Sequence, residues 1–230
     1  MTMGKMMASL AHQIRTPLSS TLLYLSQIVE GNLDEDTRQS FNEKALARVK
    51  HIEKMINDML VFAHGGQFNM TQFSVQDLVA DLHDHIRPQL ELRHALLRIS
   101  GDDIPAHLRG NKNALLGALS NLCMNSLDAA KHQAIIQIKI KMSLRGMLSI
   151  TVQDNGCGMD LETRRHLFDP FFSTKVDGTG LGLAVVKSVI ESHQGRIAVA
   201  SRTGSGSRFR IFLPCQQGMK MQISSGTSEK

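Results

Sequence analysis

Over the first 63 residues the apolar side chains recur at steps of three and four, and nothing in the chain constrains its fold more. Met3, Met7, Leu10, Ile14, Leu18, Leu22, Leu25 and Val29 fall on one face of a helix. A polar break follows at Gly31-Asn32-Leu33-Asp34-Glu35-Asp36. A second stripe then runs Ala45, Val49, Ile52, Ile56, Met59, Ala63 in heptad-like alternation. Two helices of ~25 residues joined by a short turn make a helical hairpin, and a hairpin alone has too little core to stand. Its apolar face needs a cover: a second copy, giving a four-helix bundle, or the rest of its own chain.

His64-Gly65-Gly66-Gln67 reads as a linker, and beyond it the pattern turns to mixed α and β. Ser74 with Asp77 forms a capping pair before a helix over Val75–Arg93, and Asn111 caps a second over Lys112–Lys131. Ala134–Leu144 and Met147–Gln153 alternate apolar and polar residues as strands do. A helix over Leu181–His193 precedes strands at Arg196–Ser201 and Ser207–Leu213, so this segment is a sheet covered by helices, α+β in class. The chain therefore divides into a hairpin over 1–66, an α+β domain over 67–215, and a Gly/Ser/Gln-rich tail over 216–230 that reads as disordered.

The net charge is +5 over 230 residues. The first 66 residues hold seven basic and seven acidic side chains, so the whole excess lies in the second segment. It favours an anionic ligand there. No apolar run approaches the ~18 residues that span a bilayer. The three cysteines, Cys123, Cys157 and Cys215, form no CxxC and read as thiols of a reducing cytosol. These features predict a cytoplasmic chain without a membrane segment. One Tyr, no Trp and no DNA-binding motif argue against a nucleic-acid partner.

Two glycine clusters stand out, Asp154-Asn155-Gly156-Cys157-Gly158 and Gly178-Thr179-Gly180-Leu181-Gly182. Neither is a dinucleotide-binding GxGxxG or a P-loop. The second opens a helix, where bare backbone amides favour phosphate. The first sets a carboxylate beside glycines that a flat ring could approach, and an ionised Asp, an acceptor only, suits an exocyclic amine such as adenine's. Glycine turns most often just turn, so neither cluster is decisive alone. Asn121 and Asn125 lie four apart on one helix face. They read either as satisfied core amides or as hard oxygens for Mg²⁺. His83 and His85, two apart on a helix, face different ways and make no chelate.

Taken in order, these pieces resemble the core of two-component sensor histidine kinases over residues 5–214. His12-Gln13-Ile14-Arg15-Thr16-Pro17-Leu18 resembles the phosphoacceptor box, and Asn121–Ala130 the N box. Asp154–Met159 is similar to the first glycine box, Phe168–Lys175 to the phenylalanine box, and Gly178–Gly182 to the second glycine box. The His-Gln-Ile-Arg-Thr-Pro-Leu variant is similar to that of flagellar-regulatory sensor kinases.

The resemblance implies a dimerisation and histidine-phosphotransfer hairpin forming a dimeric four-helix bundle, followed by an α+β sandwich of the Bergerat ATPase type. It further implies ATP and Mg²⁺, a homodimer, and a response-regulator receiver domain as partner. His12 would take the γ-phosphoryl group and pass it to a receiver aspartate. Asn125 would be the principal Mg²⁺ ligand with Asn121 supporting it, and Asp154 would hold the adenine amine. Gly156, Gly158, Lys175, Gly178, Thr179, Gly180, Leu181 and Gly182 would line the nucleotide, under a lid over about 160–179. Thr16 would place the water that dephosphorylates the regulator. Other Bergerat-type ATPases remain an alternative, from which the His12 box separates this chain. A dimeric ATP-binding scaffold with weak kinase activity remains another, because Gln13 replaces the usual acidic residue.

Two positions depart from the family pattern. Gln13 stands where an acidic residue usually follows the histidine; it can fix a tautomer but cannot take a proton. General-base help is worth ~10²–10⁴ in rate, so the expectation is a competent but slower autokinase. Asp128 replaces a Lys found near the phosphates in several members, which leaves Arg164, Arg165, Lys175 or Lys131 to neutralise them. Finally, Pro17 removes the amide that would bond the carbonyl of Gln13 and so loosens the helix beside His12.

Overall fold

The computed structural model describes residues 3–63, 69–143, 146–175 and 178–217, with side chains from Ala11 to Cys215. The predicted linker lies outside these residues. The chain divides into two compact units, residues 1–67 with 161–189, and residues 68–160 with 190–230.

In the first unit, α1 (Met3–Glu30) and α2 (Glu35–Ala63) form the predicted hairpin. The polar break is shorter than the sequence suggested. Asp34 Oδ1 accepts the Thr37 N–H at 2.7 Å, so α2 starts at Glu35 and places Glu35 and Asp36 at its positive end. That bond holds the Asp34 carboxyl below its ordinary range. Tyr24 and Phe41 pair across the two helices with ring centroids 5.5 Å apart. The buried residues of the hairpin are Pro17, Thr21, Ala45, Met55, Asp58 and Met59. Most of the predicted stripe points elsewhere: Leu18, Leu22, Leu25, Val29, Val49 and Ile56 are exposed, Val29 by 82%. The periodicity therefore marks a second apolar face, which the hairpin itself leaves uncovered.

The α5 helix (Leu161–His166) and most of α6 (Gly182–Ser192) also belong to this unit. One face of α6 is buried through Ala184, Val185, Val186, Val189 and Ile190.

The second unit is an α/β sandwich. A five-stranded sheet runs β2-β4-β5-β7-β6, made of β2 (Leu96–Ser100), β4 (Ile135–Met142), β5 (Met147–Asp154), β6 (Arg196–Ser201) and β7 (Ser207–Pro214). Only β2 and β4 run parallel. The helices α3 (Val75–Leu92) and α4 (Lys112–Ala129) pack together, α4 lying on β4 and β5. Strict alternation sends Ile136, Ile138 and Ile140 of β4, Leu148, Ile150 and Val152 of β5, and Phe209, Ile211 and Leu213 of β7 to one buried face. On α3, which packs on α4, Leu78, Leu82 and Ile86 are buried, each contributing ~1.5–3 kcal/mol. Both predicted caps form: Ser74 Oγ accepts the Asp77 N–H at 2.9 Å, and Asn111 Oδ1 that of Ala114 at 2.8 Å.

A second, three-stranded sheet joins β1 (Thr71–Ser74), β3 (Ala106–Gly110) and β8 (Gln216–Gln217). Part of the tail read as disordered is therefore paired, because the open edge of β3 supplies partners at Ala106 and His107. Residues 218–230 lie outside the described set. The helix predicted to Lys131 ends at Ala129, where Ala130 turns to extended backbone.

Candidate active site

Asp154 ends β5 on the buried row, where alternation calls for an apolar group. It is only 6% exposed. Its Oδ1 accepts the Gly156 N–H at 2.9 Å and the Ser207 N–H at 3.0 Å; Oδ2 accepts the Ser126 hydroxyl at 3.4 Å. Burial pushes the carboxyl above its ordinary value, and these three bonds pull it partly back. Ionised, it presents a fixed acceptor with little water around it.

The α4 helix brings both asparagines to the same end of this unit. Leu115, Leu119, Leu122, Cys123 and Ser126 face the core, which leaves Asn121 and Asn125 half-buried on a neighbouring face. Burial pushes the Cys123 thiol up to about 12, so it serves packing rather than reactivity. The departure at Asp128 has a structural partner: Arg93, the C-cap residue of α3, meets its Oδ1 at 2.6 Å. That acid is thus neutralised from within.

The glycines of the first cluster are demanded by the chain's own backbone. A Cβ on Gly156 would lie 2.7 Å from that of Ala129, and Gly158 has φ +66° and packs against the Arg202 carbonyl. Cys157 N–H donates to Ala129 O at 2.9 Å, and Gly204 N–H to Cys157 O at 2.7 Å. Asn155 ties the same corner to β4, accepting the Ile135 N–H at 2.8 Å and donating to Gln133 O at 3.1 Å.

The second cluster lies in the other unit. Gly180, at φ +65°, packs on the Phe171 backbone, and its carbonyl accepts the Phe171 N–H at 2.9 Å. Phe171 itself takes the left-handed φ of +67°. Thr179 Oγ1 accepts the Leu181 N–H at 3.2 Å just before α6, and Leu181 is fully buried, so its side chain serves packing. Gly178 abuts Ser173 Oγ. Lys175 is exposed, its N–H held by the same Ser173 hydroxyl at 3.1 Å.

On α1, His12 is exposed and Pro17 is buried. Three hydroxyls bond back to carbonyls four residues earlier: Thr16 to His12 at 3.4 Å, Ser20 to Thr16 at 3.1 Å, and Thr21 to Pro17 at 2.9 Å. Such back-bonding bends helices, and here it flanks the carbonyl that Pro17 leaves without its amide. Gln13 Oε1 is buried without a hydrogen-bond partner among the described residues. That oxygen therefore accepts nothing from the His12 imidazole in this arrangement.

Sequence reasoning missed Ser126 and Ser207, which brace Asp154, and Arg93, which neutralises Asp128. The one available signal was Ser126, a small polar residue on an otherwise apolar stretch of helix. A cavity of about 480 Å³ in the second unit, beside Arg109, His193 and Cys215, contains none of the predicted site residues.

Residues 2–67 match the His Kinase A (phospho-acceptor) domain, and residues 110–217 match the histidine kinase-, DNA gyrase B- and HSP90-like ATPase family. The sensor protein kinase FleS of Pseudomonas aeruginosa is 39% identical over 217 residues, covering 92% of this chain and 52% of that protein. The signal transduction histidine-protein kinase AtoS of Escherichia coli is 31% identical over 213 residues, covering 93% and 35% respectively. The chain thus spans between a third and about half the length of these relatives. Among solved structures, the Acinetobacter baumannii histidine kinase AdeS shares the fold with a TM-score of 0.70 at 21% identity, over 90% of this chain and 98% of that one. The histidine kinase ThkA, solved in complex with the response regulator TrrA, does so with 0.74 at 20% identity, over 92% and 61%.

One chain thus carries a phosphoacceptor domain followed by an ATPase domain. The chain belongs to the sensor histidine kinases of two-component systems. Among the described residues, no helix is long and apolar enough to cross a membrane.

Proposed function

We propose that this chain autophosphorylates on His12 from ATP and then transfers the phosphoryl group to an aspartate of a response-regulator receiver domain. An imidazole nitrogen of His12 forms the new bond to the γ-phosphorus, and the bond to the oxygen of the ADP leaving group breaks. The ring proton passes to water, since Gln13 cannot accept it.

In this reading Asp154 takes the adenine amine, and its buried, ionised, acceptor-only carboxylate fits that donor. Asn125, with Asn121 supporting it, fits a hard cation by its amide oxygen. Mg²⁺ there would neutralise phosphate charge. Gly156 and Gly158, which let this corner close on Ala129 and Arg202, are assigned to the loop that lines the ring. Lys175 and the Gly178–Gly182 segment are assigned to the phosphates, and Thr16 to the water that later cleaves the regulator's acyl phosphate.

We assign residues 1–66 to dimerisation and phosphotransfer and 67–215 to catalysis, and we propose a homodimer. Leu18, Leu22, Leu25 and Val29 on α1, with Leu46, Val49, Ile56 and Leu60 on α2, form an exposed apolar face that a second hairpin would cover.

The observation that carries the reading is the union, in one chain, of an exposed histidine before Pro17 on a hairpin helix with the ATPase sandwich. The experiment is incubation with γ-labelled ATP. Acid-labile, alkali-stable label that disappears in His12→Ala supports it. Label that persists in His12→Ala, or acid-stable label, overturns it.

A further inference from the structure

The face of the five-stranded sheet that points away from α3 and α4 is one-signed. Arg98, Lys139, Lys141, Arg196, Arg208 and Arg210 all stand outward on it, all exposed, and no outward position of the five strands is acidic. Register places them close: Lys139 and Arg210 both pair with Thr151, Ser100 opposes Lys139, and Gln153 opposes Arg208. None of the six has a carboxylate partner among the described residues. Arg208 Nε donates to Gln153 at 3.0 Å, and Arg196 stacks over the Phe212 ring at 4.5 Å. A hollow of about 220 Å³ opens between Arg98 and Lys139. The excess charge of the second segment is thus gathered largely on a surface that carries none of the residues assigned to ATP.

We infer that this face is a docking surface for an acidic protein surface, a role beyond the phosphotransfer reaction. Two other polyanions fit it less well. Sheet twist of roughly 20–25° per strand turns the outer strands by roughly 80–100° relative to one another, so the six cations cannot meet a flat lipid plane together. A single-stranded nucleic acid wants stacking platforms, and the one aromatic here, Phe212, is half-buried under Arg196. By contrast, Arg, aromatic residues and Met are what protein interfaces concentrate, and Arg196, Phe212 and Met147 sit together around a rim of Arg and Lys.

The test measures binding of poly-L-glutamate to the full chain at low and physiological salt. It compares wild type with Arg98→Thr/Lys139→Thr/Arg210→Thr and with a control, Lys44→Thr/Lys50→Thr/Arg87→Thr. Vesicles of phosphatidylserine and phosphatidylcholine in equal parts and a duplex DNA serve as the rival probes. Each exposed charge pair contributes a factor of roughly two to five. The sheet triple variant is therefore expected to bind poly-L-glutamate about tenfold to a hundredfold more weakly, with the control unchanged and salt weakening wild type. Unchanged melting by circular dichroism shows that the sheet variant folds; should it melt early, Arg98→Gln/Lys139→Gln/Arg210→Gln replaces it. Equal binding by the sheet variant, equal loss in the control, or tighter wild-type binding to vesicles or duplex overturns the inference. Because none of these readouts involves ATP, failure here is distinct from failure of the kinase reading.

Discussion

Asp154→Asn separates what the carboxylate does for the fold from what it does for a nucleotide. Asn keeps Oδ1, and with it both backbone bonds from Gly156 and Ser207. Only Oδ2 becomes an NH₂. The Ser126 hydroxyl that faced it also donates to Leu122 O at 3.0 Å, so it stays satisfied. The cost to folding is thus small, ~1 kcal/mol at most. For adenine the change is larger. A bond to a charged acceptor, worth ~1.5–3 kcal/mol, is lost, and two donors now face each other at a further ~1–3 kcal/mol. ATP affinity should fall by about 10²–10⁴-fold. Titration calorimetry of both proteins with ATP, and with GTP as the ligand carrying an acceptor at the same ring position, reads this directly; the preference for ATP over GTP should shrink or reverse. Acidity provides a second readout. Burial raises the carboxyl above its unfolded value, so folding takes up a proton in that window. Wild-type stability relative to Asn therefore falls as pH rises through the window, while wild-type ATP affinity is lost as pH falls through it. A variant that melts like wild type and binds ATP within about threefold of it would refute the assignment of Asp154.

Gln13→Glu puts a carboxylate where an unpartnered amide oxygen is buried, and it should speed labelling from γ-labelled ATP by about tenfold or more, at some cost in hairpin stability. A fall to background would show that position 13 is not a weakened base. Thr16→Ala should spare autophosphorylation and slow dephosphorylation of the regulator; equal loss of both activities counts against its role. Gly158→Ala should lower the melting temperature by several degrees, since φ +66° costs about 1–3 kcal/mol for a residue with Cβ and the Arg202 carbonyl blocks that atom. An unchanged Tm would refute it. Leu22→Glu, at a 58% exposed stripe position, should turn dimer to monomer in sedimentation while leaving the melting of the sandwich in place. Retention of the dimer would place the interface elsewhere.

The elements read correctly from sequence were those with long periodic patterns and local caps. The strands β4, β5, β6 and β7 showed themselves because one face is buried and the other wet. The strands β1, β2 and β3 did not. Each is four or five residues long, and β2 sends Leu96 outward, which spoils its alternation. The α1 stripe was visible, but periodicity cannot say which partner a face meets, and it merged the self-packing residues with those left exposed. At the site, Asp154 was legible from its glycines, yet the glycines owe their identity to Ala129 and Arg202, which are remote in sequence. The Arg93–Asp128 pair spans 35 residues and left no local trace.

The asparagine helix and the strand bearing the aspartate are joined at two points, Ser126 to Asp154 and Ala129 to Cys157. Neither can open to solvent without breaking a bond to the other. In native-state amide exchange, α4 and the end of β5 should consequently behave as one cooperative unit with matched opening energies. The groups assigned to the metal and to the base are then not independently mobile: any fluctuation that exposes one unlatches the other.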